Sequence, residues 1–218
     1  MGLTYFEWKN RISKRSDITG MLTHLTKPIQ KNLEGLSDSE INKLSIDNLI
    51  SILKDKKING STTSQGFIIG NITAVCFQDA PLYGIIQNVE FEKEMREVRE
   101  NSKLRYTGIG LTFGKPYIYA KGGRPVIYED TANAKSFLPP NQHWRIVRFN
   151  IDFVNNFQKR VDWTHEREWR APNSIEFDLT LCHIVLYDKE CLDYFNEKCP
   201  KEIKDEIYGI TVLKSILM

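Results

Sequence analysis

The chain has 218 residues, of which 41% are hydrophobic and 27% are charged, so it can bury a core and is not a disordered tail. Its formal net charge of +2 does not require nucleic acid as a partner, although a local basic groove is compatible with it. No window is apolar for long enough to span a membrane, and the first residues lack a signal peptide's apolar segment. We expect a soluble, cytoplasmic protein with reduced cysteines and no membrane partner.

The sequence pattern predicts helices and strands mixed along the whole chain. In the first half it predicts a short helix or arm over 1–18, a strand over 20–26, a loop or short helix over 30–45, a helix over 45–53, a Ser/Thr-rich loop over 60–66, a strand over 72–77, and a helix from Pro81 through 90–100. In the second half it predicts strands over 106–113, 125–128, 144–150 and 183–187, a turn at Gly122–Gly123, and a helix over roughly 188–206.

Single residues mark several of these boundaries. Ser45 is predicted to cap the helix over 45–53, and Asp79 to cap the helix that Pro81 begins. Within that helix, Glu92 and Arg96 are spaced to form an ion pair. Strands interleaved with segregated helices predict an α+β fold, with one domain spanning residues 1–218.

The segment 162–172 places two carboxylates two residues apart where a loop is predicted to enter a strand. If the chain is extended there, Glu166, Glu168 and Arg170 share one face, and Arg167 and Trp169 take the other. An acid fixed on a stiff strand suits the stabilisation of a developing cation. An edge strand with a solvated charged face explains the same pattern.

Three places in the chain together resemble a known family. Thr23–Thr26 followed by 48–53 resembles the opening histidine strand and helix of the ADP-ribosyltransferase fold, within it the DarT-type DNA ADP-ribosyltransferases. Residues 74–83 and 124–128 resemble the central strand, proline-started helix and next strand of that family, and 166–170 resembles its catalytic strand. The resemblance implies a split, mostly antiparallel sheet core flanked by helices. Residues 72–128 are also similar to AbiGi-type abortive-infection proteins.

The resemblance implies a chemistry for the two glutamates. In this reaction class the bond between nicotinamide and ribose of NAD breaks, which leaves an oxocarbenium-like sugar that a nucleophile captures. By resemblance, Glu168 is the carboxylate that binds a ribose hydroxyl and stabilises this cation. Glu166 is the second candidate, because a Glu-x-Glu pair also resembles the arginine-directed members, in which the first acid orients the acceptor.

The resemblance also implies residues that bind NAD as the substrate. His24 would hydrogen-bond a ribose hydroxyl, while the backbone of its neighbours Thr23 and Leu25 holds the nicotinamide amide. A core histidine bonded to a backbone group is the structural alternative.

Four further side chains are candidates for the NAD site. Tyr83 and Tyr106 could stack on the nicotinamide, although tyrosines in apolar surroundings are often core residues. Arg105 or Arg124 could bind the pyrophosphate through two parallel hydrogen bonds, with a surface ion pair as the alternative for each.

Other sites of known pattern are missing from the sequence. It contains no phosphate-binding P-loop, and Gly108-Ile109-Gly110 is too short for a dinucleotide fingerprint. The histidines at 24, 143, 165 and 183 lack the regular spacing of a zinc site, so no metal is expected.

Two functions therefore follow from the sequence. The first is an NAD-dependent ADP-ribosyltransferase that modifies nucleic acid or protein, as a bacterial toxin or phage-defence effector with a cognate antitoxin or other inhibitory protein. The second is a non-catalytic abortive-infection or antitoxin-type binding protein on the same fold. The family's catalytic arginine follows its first helix, but 54–77 contains no arginine, which favours the second function. The basic residues of 1–18 and Lys159–Arg160 could contact phosphates or form a solvated face.

Overall fold

The computed structural model describes residues 2–62, 64, 68–98, 104–152 and 160–218. The α-helices are α1 (Tyr5–Ser13), α2 (Asp38–Asp55), α3 (Leu82–Val98), α4 (Lys115–Ala120), α5 (Thr131–Phe137), α6 (Lys189–Lys198) and α7 (Lys201–Glu206). The strands are β1 (Met21–Leu25), β2 (Lys57–Asn59), β3 (Ala74–Phe77), β4 (Gly110–Gly114), β5 (Arg124–Pro125), β6 (Ile127–Glu129), β7 (Ile146–Arg148), β8 (Trp169–Pro172), β9 (Ser174–Glu176), β10 (His183–Leu186) and β11 (Gly209–Val212). Short 3-10 helices cover Pro140–Arg145, Thr164–Glu166, Leu179–Leu181 and Leu213–Leu217.

The chain divides into two compact units. Unit 1 comprises Met1–Lys57, Ala80–Gly114 and Phe177–Met218, and unit 2 comprises Ile58–Asp79 and Lys115–Glu176. An α+β fold is predicted, and the structure confirms its coarser part, a mixture of helices with several antiparallel sheets. The single domain over 1–218 and its ADP-ribosyltransferase-type core stay predictions. Among the described residues, no helix combines the length and the apolar character that crossing a membrane requires.

Unit 1 is built on a four-stranded sheet with the order β1-β4-β10-β11. The β1–β4 and β4–β10 pairs are antiparallel, and β10–β11 is parallel. Strand β4 lies inside this sheet, and four of its five residues are buried. Phe113 of β4 packs edge-on against Phe177, with their ring centroids 5.2 Å apart. The predicted strands over 20–26 and 183–187 are thereby confirmed, whereas the strand predicted over 106–113 begins only at Gly110.

Helix α2 begins earlier than its apolar rhythm predicts. Ser37 caps it through a capping box, in which the Ser37 hydroxyl accepts from the Glu40 N–H and the Glu40 carboxylate accepts from the Ser37 N–H. The predicted cap Ser45 is wrong, because Ser45 is buried in mid-helix and donates its hydroxyl proton to the Ile41 carbonyl. Apart from Ile41 and Leu44, the first two turns of α2 carry charged and polar side chains, which obscured its start in the sequence.

Unit 2 contains three small sheets, with the orders β2-β9, β3-β8-β5 and β6-β7. In the three-stranded sheet, β8 is central and antiparallel to both neighbours. One core cluster of this unit consists of Ile68, Ala74 and Trp144, with Ile72 and Cys76 packed against it. The predicted strand over 72–77 is confirmed from Ala74 onwards, while the strand predicted over 125–128 is split between two sheets.

Other sequence expectations are corrected by the structure. Arg96 pairs with Asp38 rather than with Glu92, which pairs with Arg105 instead. The helix predicted over 188–206 is interrupted at Pro200, because proline removes a backbone donor and breaks a helix interior. Parts of the predicted 60–66 loop, the helix end over 99–100, and Lys159 lie outside the described residues.

The pairing of β1 with β4 depends on a glycine. A Cβ atom at Gly110 would lie 2.2 Å from the backbone oxygen of His24 and 3.1 Å from the Cα atom of Leu25. Both are backbone atoms of the paired strand, so they cannot move aside as a flexible side chain would. This is the close backbone approach that glycine in a strand permits.

We expect Gly110→Ala to lower the free energy of unfolding by about 1–3 kcal/mol, because the added methyl overpacks the β1–β4 contact. Gly84→Ala is the matched control, since the Cβ added at this position of helix α3 would meet only the Ala80 Cβ, at 3.8 Å. That change should raise stability by roughly 0.5–1 kcal/mol through helix propensity. Urea unfolding followed by circular dichroism measures both, and a Gly110→Ala variant as stable as wild type would contradict the contact.

Candidate functional site

A buried ion pair lies at the start of β8 in unit 2. Arg170 donates from Nε to Glu168 Oε1 at 2.7 Å and from Nη2 to Glu168 Oε2 at 3.3 Å. The two side chains are only 2% and 7% exposed, so the pair is withdrawn from water. Two parallel contacts fix the plane of the carboxylate as well as its position.

Arg170 has two further acceptors. Its Nη1 donates to the backbone carbonyl of Trp144 at 2.9 Å and to that of Ile146 at 3.0 Å. Burial alone would lower the pKa of Arg170, but the negative charge of Glu168 outweighs it, and the pKa lies above its ordinary value. The guanidinium therefore stays charged and holds Glu168 next to the 3-10 helix Pro140–Arg145 and β7.

The main chain of Glu168 is fixed as well. Its N–H donates to the Tyr128 hydroxyl oxygen at 2.6 Å, and its carbonyl accepts from the Val126 N–H at 3.0 Å. Burial raises the pKa of Tyr128 to about 12, an effect that the nearby negative charge of Glu168 reinforces. Tyr128 is therefore neutral at physiological pH. Glu168 is thus held at its side chain by Arg170 and at its backbone by the chain from Val126 to Tyr128.

Cys76 on the neighbouring strand β3 joins Glu168, Arg170 and Tyr128 in one cluster of side chains. It stands opposite Arg170 in the β3–β8 register, as Arg124 does in the β5–β8 register. Cys76 is half-buried and is not disulfide-bonded. Burial, followed by the negative charge of Glu168, raises the pKa of its thiol. A thiol that stays protonated is a poor nucleophile, so the cluster is not suited to cysteine chemistry.

The structure modifies the predicted arrangement of the two glutamates. Glu168 and Arg170 do share one face, as the period of an extended chain predicts. Glu166 does not belong to this strand, because it ends the 3-10 helix Thr164–Glu166, and Arg167 then turns the chain with φ of 45°. Trp169 lies half-buried on the other face, where its Nε1 donates to Asp79 Oδ2 at 3.2 Å.

Asp79 belongs to a second polar group in unit 2 and does not cap a helix as predicted. Lys115 Nζ lies 2.8 Å from its Oδ1 and 2.9 Å from its Oδ2. Only the Oδ2 contact has hydrogen-bond geometry, so Oδ1 is held by charge alone. Burial raises the pKa of Asp79 despite the opposing hydrogen bond from Lys115. The Asp79 N–H also donates to the Glu166 carbonyl at 3.1 Å, which ties β3 to the segment before β8.

The predicted histidine strand is β1 in unit 1. Thr23 is buried, and its hydroxyl lies 3.1 Å from that of Thr112 on β4. Its side chain is therefore used in a hydrogen bond between the two strands. His24 is half-buried and stands opposite Leu111, and Leu25 stands opposite Gly110. The roles of these three residues toward NAD stay predictions.

The other candidates for the NAD site differ in accessibility. Tyr83 is 53% exposed on α3, whereas Tyr106 is buried in unit 1. Arg105 forms an ion pair with Glu92 at 3.3 Å. Arg124 lies in unit 2, donates to the carbonyls of Tyr119 and Gly123, and stacks on the Tyr119 ring at 3.9 Å. Their roles also stay predictions.

Apart from Arg170, the residues that hold Glu168 could not be identified from the sequence. The alternation of Glu168 with Arg170 was visible, but no local pattern marks Tyr128 as the acceptor for the Glu168 N–H. The same is true of Lys115 as the partner of Asp79. Within the described ranges, no group of three or more His, Cys, Asp or Glu side chains could hold a metal ion.

Comparison with known proteins yields no relative: no protein-family model matches the chain, and neither a curated protein nor a solved structure matches it. The interpretation of the cluster therefore depends on its own geometry and on the resemblance of the motifs.

We expect Glu168→Gln to lower the free energy of unfolding by about 3–5 kcal/mol, because it leaves the buried Arg170 without a counter-charge. Glu176→Gln makes the same change at an exposed strand position of unit 2 and should shift stability by less than about 0.5 kcal/mol. Equilibrium urea unfolding of the variants provides the measurement. Equal stability of the two variants would show that the ion pair does not hold the fold.

Tyr128 gives a pH-dependent test. Its pKa is raised from about 10 to about 12, so the folded protein keeps the phenol neutral where the unfolded chain ionises it. The resulting stability is complete below pH 10 and is lost as the pH rises through 12. The unfolding free energy of wild type should therefore fall relative to that of Tyr128→Phe over this window. Parallel pH profiles of the two proteins, measured by urea unfolding, would contradict the buried phenol.

Proposed function

We propose that the protein is an NAD-dependent ADP-ribosyltransferase in which Glu168 is the catalytic carboxylate. The observation that carries the proposal is that Arg170 contacts both oxygens of this carboxylate while the Tyr128 hydroxyl accepts from the Glu168 N–H. A charge fixed before the reaction stabilises a transient cation without the free energy of reorganisation that a mobile group would need.

The proposed reaction exchanges one glycosidic bond for another. The bond between nicotinamide and ribose C1′ breaks, and its electron pair leaves with nicotinamide, which becomes neutral. The ribose carries the positive charge as an oxocarbenium-like species next to Glu168. The acceptor then bonds to C1′ and releases its proton to solvent. Glu168 accepts a hydrogen bond from a ribose hydroxyl and stabilises the cation in this scheme.

Arg170 is a positioning residue in this proposal. Its contact with Glu168 Oε2 is 3.3 Å long, whereas its contact with Oε1 is 2.7 Å. The weaker contact makes Oε2 the oxygen that a ribose hydroxyl engages. Because Arg170 fixes the plane of the carboxylate, Glu168 serves as an oriented acceptor for the ribose hydroxyl in this proposal.

The described contacts rank the candidates for NAD binding. Arg124 suits the pyrophosphate better than Arg105, because no carboxylate of the described chain pairs with Arg124, whereas Glu92 occupies Arg105. Within unit 1, exposed Tyr83 is more accessible to a planar ligand than buried Tyr106.

The resemblance to DarT-type enzymes supplies the remaining parts of the proposal. It suggests nucleic acid as the acceptor, with protein as the alternative, and a role as a bacterial toxin or phage-defence effector controlled by a cognate antitoxin. The proposed location is the cytoplasm.

A second candidate function is a non-catalytic binding protein of the abortive-infection or antitoxin type. The observation that favours it is the burial of Glu168, whose charge Arg170 already balances. An ion pair whose only role is to stabilise the fold would show the same burial and the same balance of charge. The lack of an arginine in 54–77 also favours the second candidate.

Release of nicotinamide from NAD by the purified protein, with and without single-stranded DNA, tests the proposal. We expect release by wild type and a loss of roughly 10²-fold or more in Glu168→Asp, since the shortened side chain withdraws the carboxylate but keeps its charge beside Arg170. Glu176→Asp makes the same change at an exposed site and should keep wild-type activity. Melting curves establish that each variant is folded.

Two other outcomes would overturn this assignment. A wild-type protein that neither releases nicotinamide nor melts at a higher temperature with NAD would support the binding-protein function. An activity that survives in Glu168→Asp but is lost in Glu166→Gln would move the catalytic role to Glu166.

A further inference from the structure

Two arginines of unit 2 lie close together in the fold. Arg124 is the first residue of β5, and Arg145 ends the 3-10 helix that precedes β7. The Arg145 Nε donates to the carbonyl of Pro125, the residue after Arg124, at 3.1 Å. Burial lowers the pKa of Arg145, and the positive charge of Arg124 lowers it further. Two like charges are therefore held next to each other, and a bound anion would relieve their repulsion.

Each of these guanidinium groups keeps donors that no described protein group uses. The Arg124 Nη1 donates to the carbonyls of Tyr119 and Gly123 at 2.9 Å and 2.6 Å, which leaves the edge formed by Nε and Nη2. Arg145 uses its Nη1 for the side-chain oxygen of Gln142 at 3.3 Å, which leaves Nη2. In the described ranges neither arginine pairs with a carboxylate, and the remaining donors are not shut off from solvent. They can therefore bind a ligand.

The two arginines lie beside the cluster around Glu168. Arg124 stands directly opposite Arg170 in the β5–β8 register, and residues paired in this way project their side chains from the same face of a sheet. Arg145 lies between the two residues whose carbonyls accept from the Arg170 guanidinium. An anion bound by Arg124 and Arg145 would therefore lie next to the carboxylate that Arg170 holds.

A diphosphate group has the charge and the shape that suit this arrangement. The Nε–Nη2 edge of Arg124 offers two parallel donors, which suit two oxygens of one phosphoryl group. The Tyr119 ring, whose centre lies 3.9 Å from the Arg124 guanidinium carbon, fixes the plane of this edge. The Nη2 of Arg145 can then donate to the second phosphoryl group. A carboxylate carries a single charge, whereas a diphosphate carries at least one on each phosphoryl group and so balances both arginines.

We propose that Arg124 and Arg145 together bind the diphosphate group of a nucleotide, with one phosphoryl group at each guanidinium. Arg145 is the residue that this proposal adds, and it contacts the ligand directly. The diphosphate site itself requires no transferase chemistry, whereas the identity of its ligand as NAD rests on the proposed function. With NAD bound, the two arginines hold the pyrophosphate while the adjacent ribose lies at Glu168.

Isothermal titration calorimetry with ADP tests the site, because ADP carries the diphosphate but neither nicotinamide nor its ribose. We expect Arg145→Gln to weaken ADP binding about ten- to hundredfold, since it removes the charge and the donors that reach the second phosphoryl group. Arg148→Gln is the matched control, because it removes one positive charge at an exposed position of β7 and should bind ADP like wild type. AMP, which has a single phosphoryl group, should bind wild type at least about tenfold more weakly than ADP.

Four results would each overturn the diphosphate site. They are wild-type protein that does not bind ADP, AMP that binds as tightly as ADP, Arg145→Gln that binds ADP as wild type does, and Arg148→Gln that weakens binding as much as Arg145→Gln. Melting curves followed by circular dichroism establish that both variants are folded.

A failure of the transferase proposal gives a different result. A protein that binds ADP through Arg145 but releases no nicotinamide from NAD keeps the diphosphate site and loses the proposed function. Release of nicotinamide with the same KM for NAD in Arg145→Gln and wild type would overturn the site and leave the transferase proposal intact.

Discussion

The buried guanidinium of Arg170 is the constraint on which the arrangement of unit 2 depends. An arginine cannot discharge by losing a proton, so burying its side chain to 2% exposure requires acceptors for its donors. Glu168 provides two oxygens, and the carbonyls of Trp144 and Ile146 provide two more. These acceptors bring the central strand of one sheet next to a strand of another, and they determine where the carboxylate of Glu168 lies.

Much of the regular structure could be predicted from the sequence where elements are long or apolar. The strands around His24, Val75 and Val185 stand out as short apolar runs, and Pro81 marks the start of α3. The start of α2 could not be predicted from apolar rhythm, because its first turns are polar and its signal is the Ser37–Glu40 capping box. Strands of two to four residues, such as β5 and β9, are too short for any periodicity to appear.

The candidate site was predictable only where its members are close in sequence. The two-residue spacing of Glu168 and Arg170 is a local pattern, and their shared face follows from it. Tyr128 lies 40 positions from the Glu168 N–H that it accepts, and Lys115 lies 36 positions from Asp79. Such pairings are decided by how strands assemble. Two of the acceptors for Arg170 are also backbone carbonyls, which every residue type possesses, so no sequence motif can mark them.

Those carbonyl acceptors have a consequence for how this protein can diverge. Replacing one amino acid by another at position 144 or 146 leaves the peptide oxygen in place. The hydrogen bonds that hold the guanidinium are therefore preserved when the residue type changes there. An inserted or deleted residue between the two positions would instead displace one oxygen from the other. Homologues should therefore keep the length of this stretch even where the buried side chains at positions 144 and 146 are exchanged for other core residues.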